Sequence, residues 1–402
     1  MFWFWFWLVV DLIALGVDVA LWTAAMRLTK RTPWRVLASV FMAGHMVAVY
    51  SLMCGFDWPR YTPKPALVAV ASWHYFALGL GLAVLLPLGF IRVCAWIARR
   101  LRRRAAPVHP PLVAPPPSAS GLRRREFIGA CAALAPPLLT LGMTGISLAQ
   151  LNSFRVRRFV LSIPTLPRAL DGVTLAHVTD THLGEMMRGR VLRDLVDTTN
   201  SLRPDLVVFT GDLIDYDLAD LSEGIAMLKA MEARYGLWMV EGNHDVAQDG
   251  GEFERRVKAA GLPLLVDASA VVDVRGYPVQ LLGLGWIGEA PQGGPVTDRQ
   301  MRLLMNQRRP EAFPLLLAHH PHVFDAAAKA GLPLTLAGHT HGGQCMLDRR
   351  HGLGSVLFRY WSGLYTRGPS QMIVSNGVGS WLPLRINAPA EIVHLTLRCG
   401  QA

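Results

Sequence analysis

Between residues 173 and 341 five short apolar runs each stop on a residue type that binds metals or moves protons. They read "VTLAHVTDTH" (173–182), "DLVVFTGD" (205–212), "YGLWMVEGNHD" (235–245), "FPLLLAHHP" (313–321) and "LTLAGHTH" (334–341). Apolar runs of this length that scarcely alternate with polar residues read as strands buried on both faces. Helix-like segments separate them, so the segment reads as a layered α/β fold, in which sites form beyond the carboxyl ends of strands. Every candidate lies at such an end: Asp180 and His182, Asp212, Asn243, His244 and Asp245, His319, then His339 and His341. A lone GD is a turn, and HHP alone is a helix start with proline in its first turn. Five such endings in order constrain the fold, because they require five strand ends to converge. His339 and His341 sharpen the point: at i and i+2 on a strand their rings would face opposite ways. The flanking glycines let the chain curl so that both rings meet.

Two Asp, four His and one Asn suit two adjacent divalent ions. Carboxylate and imidazole donors accommodate Mn, Fe or Zn, and the scarcity of thiols argues against a cysteine-held structural zinc. Cys345 follows the last histidine, but the donor set is complete without it. Two-metal sites clamp phosphate oxygens during in-line displacement, with one carboxylate bridging the ions.

The first part of the chain differs in composition. Residues 1–154 hold 15 Lys and Arg against 4 Asp and Glu, whereas residues 155–402 hold 25 of each, so the whole formal charge of +11 belongs to the first part. The balanced remainder has no electrostatic footprint for nucleic acid. Apolar stretches at about 2–26, 35–56, 66–97 and 127–149 each exceed the roughly 20 residues of a membrane-spanning helix. Positive residues cluster between the first and second stretches and between the third and fourth, which makes those connections cytoplasmic. The expected organisation is three transmembrane helices over 1–98, a basic, proline-rich cytoplasmic linker over 99–126, and a segment at 127–150. That segment is either a fourth transmembrane helix or a twin-arginine-type signal, since Arg124 and Arg125 precede Phe127 and Ile128. A catalytic domain over 155–402 follows. The expected location is a bacterial inner membrane, multi-pass, with that domain on the outer, periplasmic side. Asp11, Asp18, His45 and His74 lie within the apolar stretches, where ionisable groups are costly. A hydrogen bond between His45 and Asp11 is the economical expectation, and a haem site through His45 and His74 is the sharper one. "FRVRRF" places Arg155, Arg157 and Arg158 at the start of the domain, either attracting anionic headgroups or packing on the domain.

The order D-x-H, GD, GNHD, H, GHTH in residues 180–341 resembles the calcineurin-like metallophosphoesterase family. The resemblance covers about 155–402, and "GLYTRG" with "SNGVGSWLPLRINAPAEIVHLTL" looks like its bacterial membrane-associated phosphodiesterase branch with export signals. It implies a four-layer α/β/β/α sandwich after the transmembrane region. It implies that Asp180, His182 and His341 bind one metal, that Asn243, His319 and His339 bind the other, and that Asp212 bridges them. His244 becomes the general acid, paired with Asp215, and a hydroxide bridging the metals becomes the nucleophile. Tyr216 stands where relatives that cleave phosphoproteins have arginine, which argues against that substrate. His320 stands where many members of the branch are acidic. The expected function is hydrolysis of a phosphodiester, phosphomonoester or lipid-linked phosphate at the membrane, with no nucleic-acid partner. The alternatives are a pyrophosphatase acting on a nucleotide-linked lipid precursor, and a non-catalytic membrane sensor or transporter whose phosphoesterase domain binds ligand. Oligomeric state has no signal in the sequence.

Overall fold

The computed structural model describes residues 2–28, 32–53, 64–104, 135, 138–150, 154–184, 186–286, 295–348, 351–380 and 382–400. The chain divides into two compact units, Met1–Gly145 and Ile146–Ala402.

The second unit is built on two sheets. One has five strands in the order β1-β11-β2-β3-β4: β1 (Phe154–Ile163), β11 (Ala390–Cys399), β2 (Thr174–Val178), β3 (Leu206–Thr210) and β4 (Leu237–Val240). The other has six in the order β5-β6-β7-β8-β10-β9: β5 (Ala268–Val274), β6 (Tyr277–Gly283), β7 (Phe313–Leu317), β8 (Leu334–Ala337), β10 (Ser370–Val374) and β9 (Gly363–Arg367). β2, β3 and β4 run parallel, as do β6, β7, β8 and β10, so their carboxyl ends point the same way within each sheet.

The near-continuous apolar runs follow from burial on both faces, and alternation divides each strand between two layers. In β3, Leu206 and Val208 join the core between the sheets, where they meet Leu281, Leu315 and Leu336. Their neighbours Val207 and Phe209 join the outer core with Leu192 and Leu195 of α5 (Arg190–Ser201), Leu221 of α6 (Leu221–Lys229) and Phe253 of α7 (Gly250–Ala259). β7 divides likewise: Leu315 and Leu317 face the other sheet, while Leu316 packs with Met301 and Leu304 of α8 (Pro295–Met305) and Ala327 of α9 (Phe324–Lys329). Helices cover both outer faces, which makes four layers, α/β/β/α. Each fully buried Leu or Phe contributes roughly 1.5–3 kcal/mol.

The arginines of "FRVRRF" lie on β1, paired in register with β11. Glu391, fully buried, accepts from Arg155 Nη2 at 3.0 Å and from Arg157 Nη1 at 3.1 Å, and Arg158 Nη1 lies 3.0 Å from His394 Nδ1. Of the two expectations, packing on the domain describes them. Their charge is committed to protein partners.

The first unit holds α1 (Phe2–Leu28), α2 (Thr32–Met53) and α3 (Lys64–Arg104), and a further helix, α4, covers 138–150. Among the described residues no helix is long and apolar enough to cross a membrane, so the transmembrane region expected over 1–98 is not supported. Asp18 accepts from Tyr50 Oη at 2.7 Å and sits 2.8 Å from His74 Nε2, whose Nδ1 is 2.8 Å from His45 Nε2; Asp11 accepts from Tyr75 Oη at 2.7 Å. A polar seam thus joins the three helices. His45 bonds His74 and not Asp11, and the direct contact leaves no gap between the two nitrogens for a haem iron. α3 runs to Arg104, so the basic residues from Arg99 continue a helix before any linker opens. The remainder of the predicted linker, with Arg124 and Arg125, lies outside the described residues.

Removing the Glu391 carboxylate strands two guanidiniums and the main-chain N–H of Asn376, which it also holds at 3.2 Å. Glu391→Ala is predicted to lower unfolding stability by about 3 kcal/mol. Arg155→Ala, at a half-exposed end of the same pair, should lower it by less than about 1 kcal/mol. Urea unfolding of the two variants measures the difference, and equal losses contradict this role for Glu391.

Candidate metal centre

Asp180 and His182 follow β2, Asp212 follows β3, and Asn243 and His244 follow β4, all from the first sheet. His319 follows β7 and His339 and His341 follow β8, from the second. The backbone turns sharply at these ends. Asp180, His182, Asp212, His339 and His341 all have positive φ, between 45° and 72°. Asp and His tolerate this region better than most residues, but it stores strain. It also resolves the i, i+2 problem, because a left-handed step at each histidine brings both rings inward. Two glycines of the motifs are required by close approach. A Cβ on Gly242 would fall on Asp212 Oδ1, and one on Gly338 would fall on Asp180 Oδ2 and Thr179 Oγ1.

The ends converge as two groups joined by one carboxylate. In the first, His182 Nε2 lies 3.0 Å from His341 Nε2, and Asp180 Oδ1 lies 3.4 Å from His341 Nε2. In the second, Asn243 Oδ1 lies 2.9 Å from His339 Nδ1 and 3.2 Å from His319 Nε2. Asp212 Oδ2 stands between them, 3.0 Å from His319 Nε2 and 3.5 Å from His182 Nε2. The seven residues expected to hold metal are therefore together, all with buried or nearly buried side chains.

Partners outside the group aim the donors. His319 Nδ1 lies 2.7 Å from the carbonyl oxygen of Thr210, so Nδ1 carries the hydrogen and Nε2 is free to face the site. The main-chain N–H of His339 donates to both Asp180 oxygens, at 3.0 and 3.1 Å, tying the second sheet to the first. Burial works to raise the Asp212 carboxyl, but His319 and His182 outweigh it and hold it below the usual carboxylate range. Burial, then the neighbouring cationic groups, hold His339 and His341 below the usual imidazole range, so both are neutral with lone pairs available. Metal ligands must be deprotonated, a condition that His339 and His341 meet; burial works to lower the His319 imidazole, but Asp212 outweighs it and raises it to about 9, so a cation there would displace its proton. Two buried carboxylates and four inward imidazoles with an amide oxygen fit a pair of divalent cations. Asp180, His182 and His341 would hold one, Asn243, His319 and His339 the other, and Asp212 both. The same geometry also groups His244 with His182 and Asp212.

His244 is oriented differently. Its Nδ1 lies 2.5 Å from the main-chain carbonyl oxygen of Asp215 and 3.2 Å from the Asp215 carboxylate. The pairing with Asp215 is thus mainly through the main chain. Burial works to lower the His244 imidazole, but Asp215 and Asp212 outweigh it and raise it above its ordinary value. Tyr216 stacks on the ring at 4.1 Å between centroids, with its hydroxyl 3.3 Å from Nε2.

Two further residues brace the site. Asp245, fully buried, accepts from the N–H groups of Leu213, Ile214 and Gly242 at 2.8–3.1 Å and locks the β3 and β4 loops together. Arg385 is also buried and donates to the carbonyls of Ala388 and Asn376, with Nη2 3.1 Å from His341 Nδ1. Asp245 is the last letter of GNHD, and Arg385 lies within "SNGVGSWLPLRINAPAEIVHLTL", where nothing singles it out.

Residues 173–343 match the family model described as calcineurin-like phosphoesterase. An uncharacterized metallophosphoesterase of Bacillus subtilis is 29% identical over 293 residues, covering 69% of this chain and 98% of that protein. One from Campylobacter jejuni is 31% identical, covering 62% of this chain and 64% of its own length. A zebrafish protein named transmembrane protein with metallophosphoesterase domain is 30% identical, covering 59% of this chain and 56% of its own. This chain thus spans less than two thirds of the last two relatives. The D-x-H, GD, GNHD, H and GHTH endings fall within the matched segment or just at its edge, and they are the residues that meet at the centre. Residues 173–343 are thus similar to the calcineurin-like phosphoesterases, and the chain is a metal-dependent phosphoesterase.

Proposed function

We propose that this chain hydrolyses phosphodiesters at the centre built around Asp212. The observation that carries the reading is the position of Asp212 Oδ2, within 3.5 Å of a donor nitrogen from each of the two ligand groups. One carboxylate shared by two groups is the arrangement that sets two ions side by side, suited to clamping a phosphate. When bound, such a pair supplies Lewis acidity to phosphate oxygens and acidifies water at neutral pH. Its identity among Mn, Fe and Zn is left to measurement.

The chain's own residues supply the rest. His244 holds Nδ1 against the Asp215 carbonyl, so Nδ1 keeps its hydrogen and Nε2 is the atom that gives a proton to the leaving oxygen. Asp215 and Asp212 raise that imidazole above its ordinary value, which favours the protonated form that an acid requires. Tyr216, stacked on the ring, limits its rotation and replaces the arginine that a phosphoprotein substrate would call for. A leaving alcohol approaching from the His244 side therefore meets a donor already aligned.

The proposal places the catalytic unit on the outer side of a bacterial inner membrane. Its support is the excess of Lys and Arg in residues 1–154 and the name of the zebrafish relative. The described helices add nothing to it, none being long and apolar enough to cross.

Turnover of bis-p-nitrophenyl phosphate with added manganese tests the reaction. Asp212→Asn is predicted to abolish turnover and to lose most bound metal, read by elemental analysis of the purified protein. His244→Ala should keep its metal and lose roughly two to four orders of magnitude in kcat, the range for a general acid. A metal-depleted His244→Ala beside a fully loaded Asp212→Asn would reverse the two roles.

A further inference from the structure

A phosphodiester has two ester arms, and the centre has two unlike flanks. His244 and Tyr216 lie on the flank of His182, with the His244 and His182 rings 4.4 Å apart. The opposite flank, over His319 and His339, carries two further rings that the hydrolytic roles do not use. The Trp286 indole lies 5.7 Å from the His319 ring and 5.4 Å from the His339 ring, and His320 lies 4.7 Å from His339 on a tilted approach. Trp286 and His320 are 5.8 Å apart, so the two form one continuous edge of flat groups.

Both residues are anchored, Trp286 through its main chain and His320 through its ring, and both keep a donor unspent. The main-chain N–H of Trp286 donates to Glu241 Oε1 at 3.1 Å, anchoring the residue to the β4 loop that also bears Asn243. His320 caps the 3-10 turn Pro321–Val323, and its Nδ1 accepts from the His322 main-chain N–H at 3.2 Å, with His322 Nδ1 3.0 Å away. An accepting Nδ1 puts the hydrogen of the neutral ring on Nε2. Among the described residues, neither His320 Nε2 nor Trp286 Nε1 has a hydrogen-bond partner. Both residues are partly exposed. Rigid flat faces with free N–H edges beside a phosphate site are what a planar ester group stacks on.

We propose that Trp286 and His320 form the subsite for the ester group that stays on phosphorus, and that this subsite selects a flat aryl or heteroaryl group over a small alkyl one. The inference rests on the phosphodiesterase reading above and names which arm of the diester lies where: the leaving oxygen toward His244, the retained ester toward Trp286. It requires no chemistry beyond hydrolysis.

The test uses two diesters with the same leaving group, bis-p-nitrophenyl phosphate and methyl p-nitrophenyl phosphate, which differ in the group retained. The quantity read is the ratio of their kcat/KM values in the full-length, manganese-supplemented protein. Trp286→Leu is expected to lower that ratio about five- to tenfold, mostly through KM for the aryl diester, while Trp286→Phe keeps it within about twofold. His320→Ala, which leaves the indole in place, should lower it in the same direction and serves if Trp286→Leu folds poorly. Because a general loss of metal or fold moves both substrates together, a ratio unchanged in both Trp286→Leu and His320→Ala overturns the subsite while leaving hydrolysis intact. Absence of turnover by the unmodified protein on both diesters overturns the hydrolytic reading itself.

Discussion

The apolar seam between the two sheets is what the metal centre depends on. Asp180, His182, Asp212 and Asn243 come from one sheet and His319, His339 and His341 from the other, so neither sheet holds a complete set. Leu206, Val208, Leu315 and Leu336 press the sheets together, and the distance they set decides whether Asp212 Oδ2 reaches both ligand groups. Polar contacts then fix the seam at the site end. The His339 N–H on the Asp180 carboxylate and His319 Nδ1 on the Thr210 carbonyl both cross from sheet to sheet. Hydrophobic burial supplies the force without direction, and these contacts supply the direction.

The same end of the fold carries the strain. Five of the seven ligand residues sit at positive φ, and such positions persist only where the surroundings over-determine them. Asp245 does much of that by binding three N–H groups of the adjoining loops, while Gly242 and Gly338 leave the space that the two carboxylates occupy. Stability made in the layers is thus spent at the strand ends, which places the donors before any ion arrives.

What the sequence makes legible follows from where each interaction sits along the chain. The ligand residues stand directly after apolar runs, so strand and ligand can be read in one stretch of ten residues. A layered α/β fold follows from runs such as "LVVFT", which leave no face for water, while the count of four layers comes only from the family resemblance. Interactions between distant residues are not legible that way. Arg155 and Arg157 look like free surface charge until Glu391, more than 230 residues later, is paired beside them on β11. Trp286 reaches the site from a loop whose letters carry no motif, and Arg385 lies in a stretch that resembles the family without its own role being marked. In the first unit, Asp18, His74 and His45 are bonded in a row across α1, α3 and α2, a connection that averaged hydropathy does not register. The length of α3 is a smaller case: Arg99, Arg100, Arg102, Arg103 and Arg104 read as a linker by charge, yet arginine is a good helix former and the helix continues through them.

The central claim is that Asp212 joins two separate ion sites. Anomalous X-ray scattering at the manganese edge, from crystals of the full chain grown with manganese, tests it most directly. The account predicts two peaks on either side of Asp212 Oδ2, one against His182 and His341 and one against His319 and His339. A single peak, or a pair that leaves Asp212 on its outside, for example one lying between His320 and His322, would contradict it.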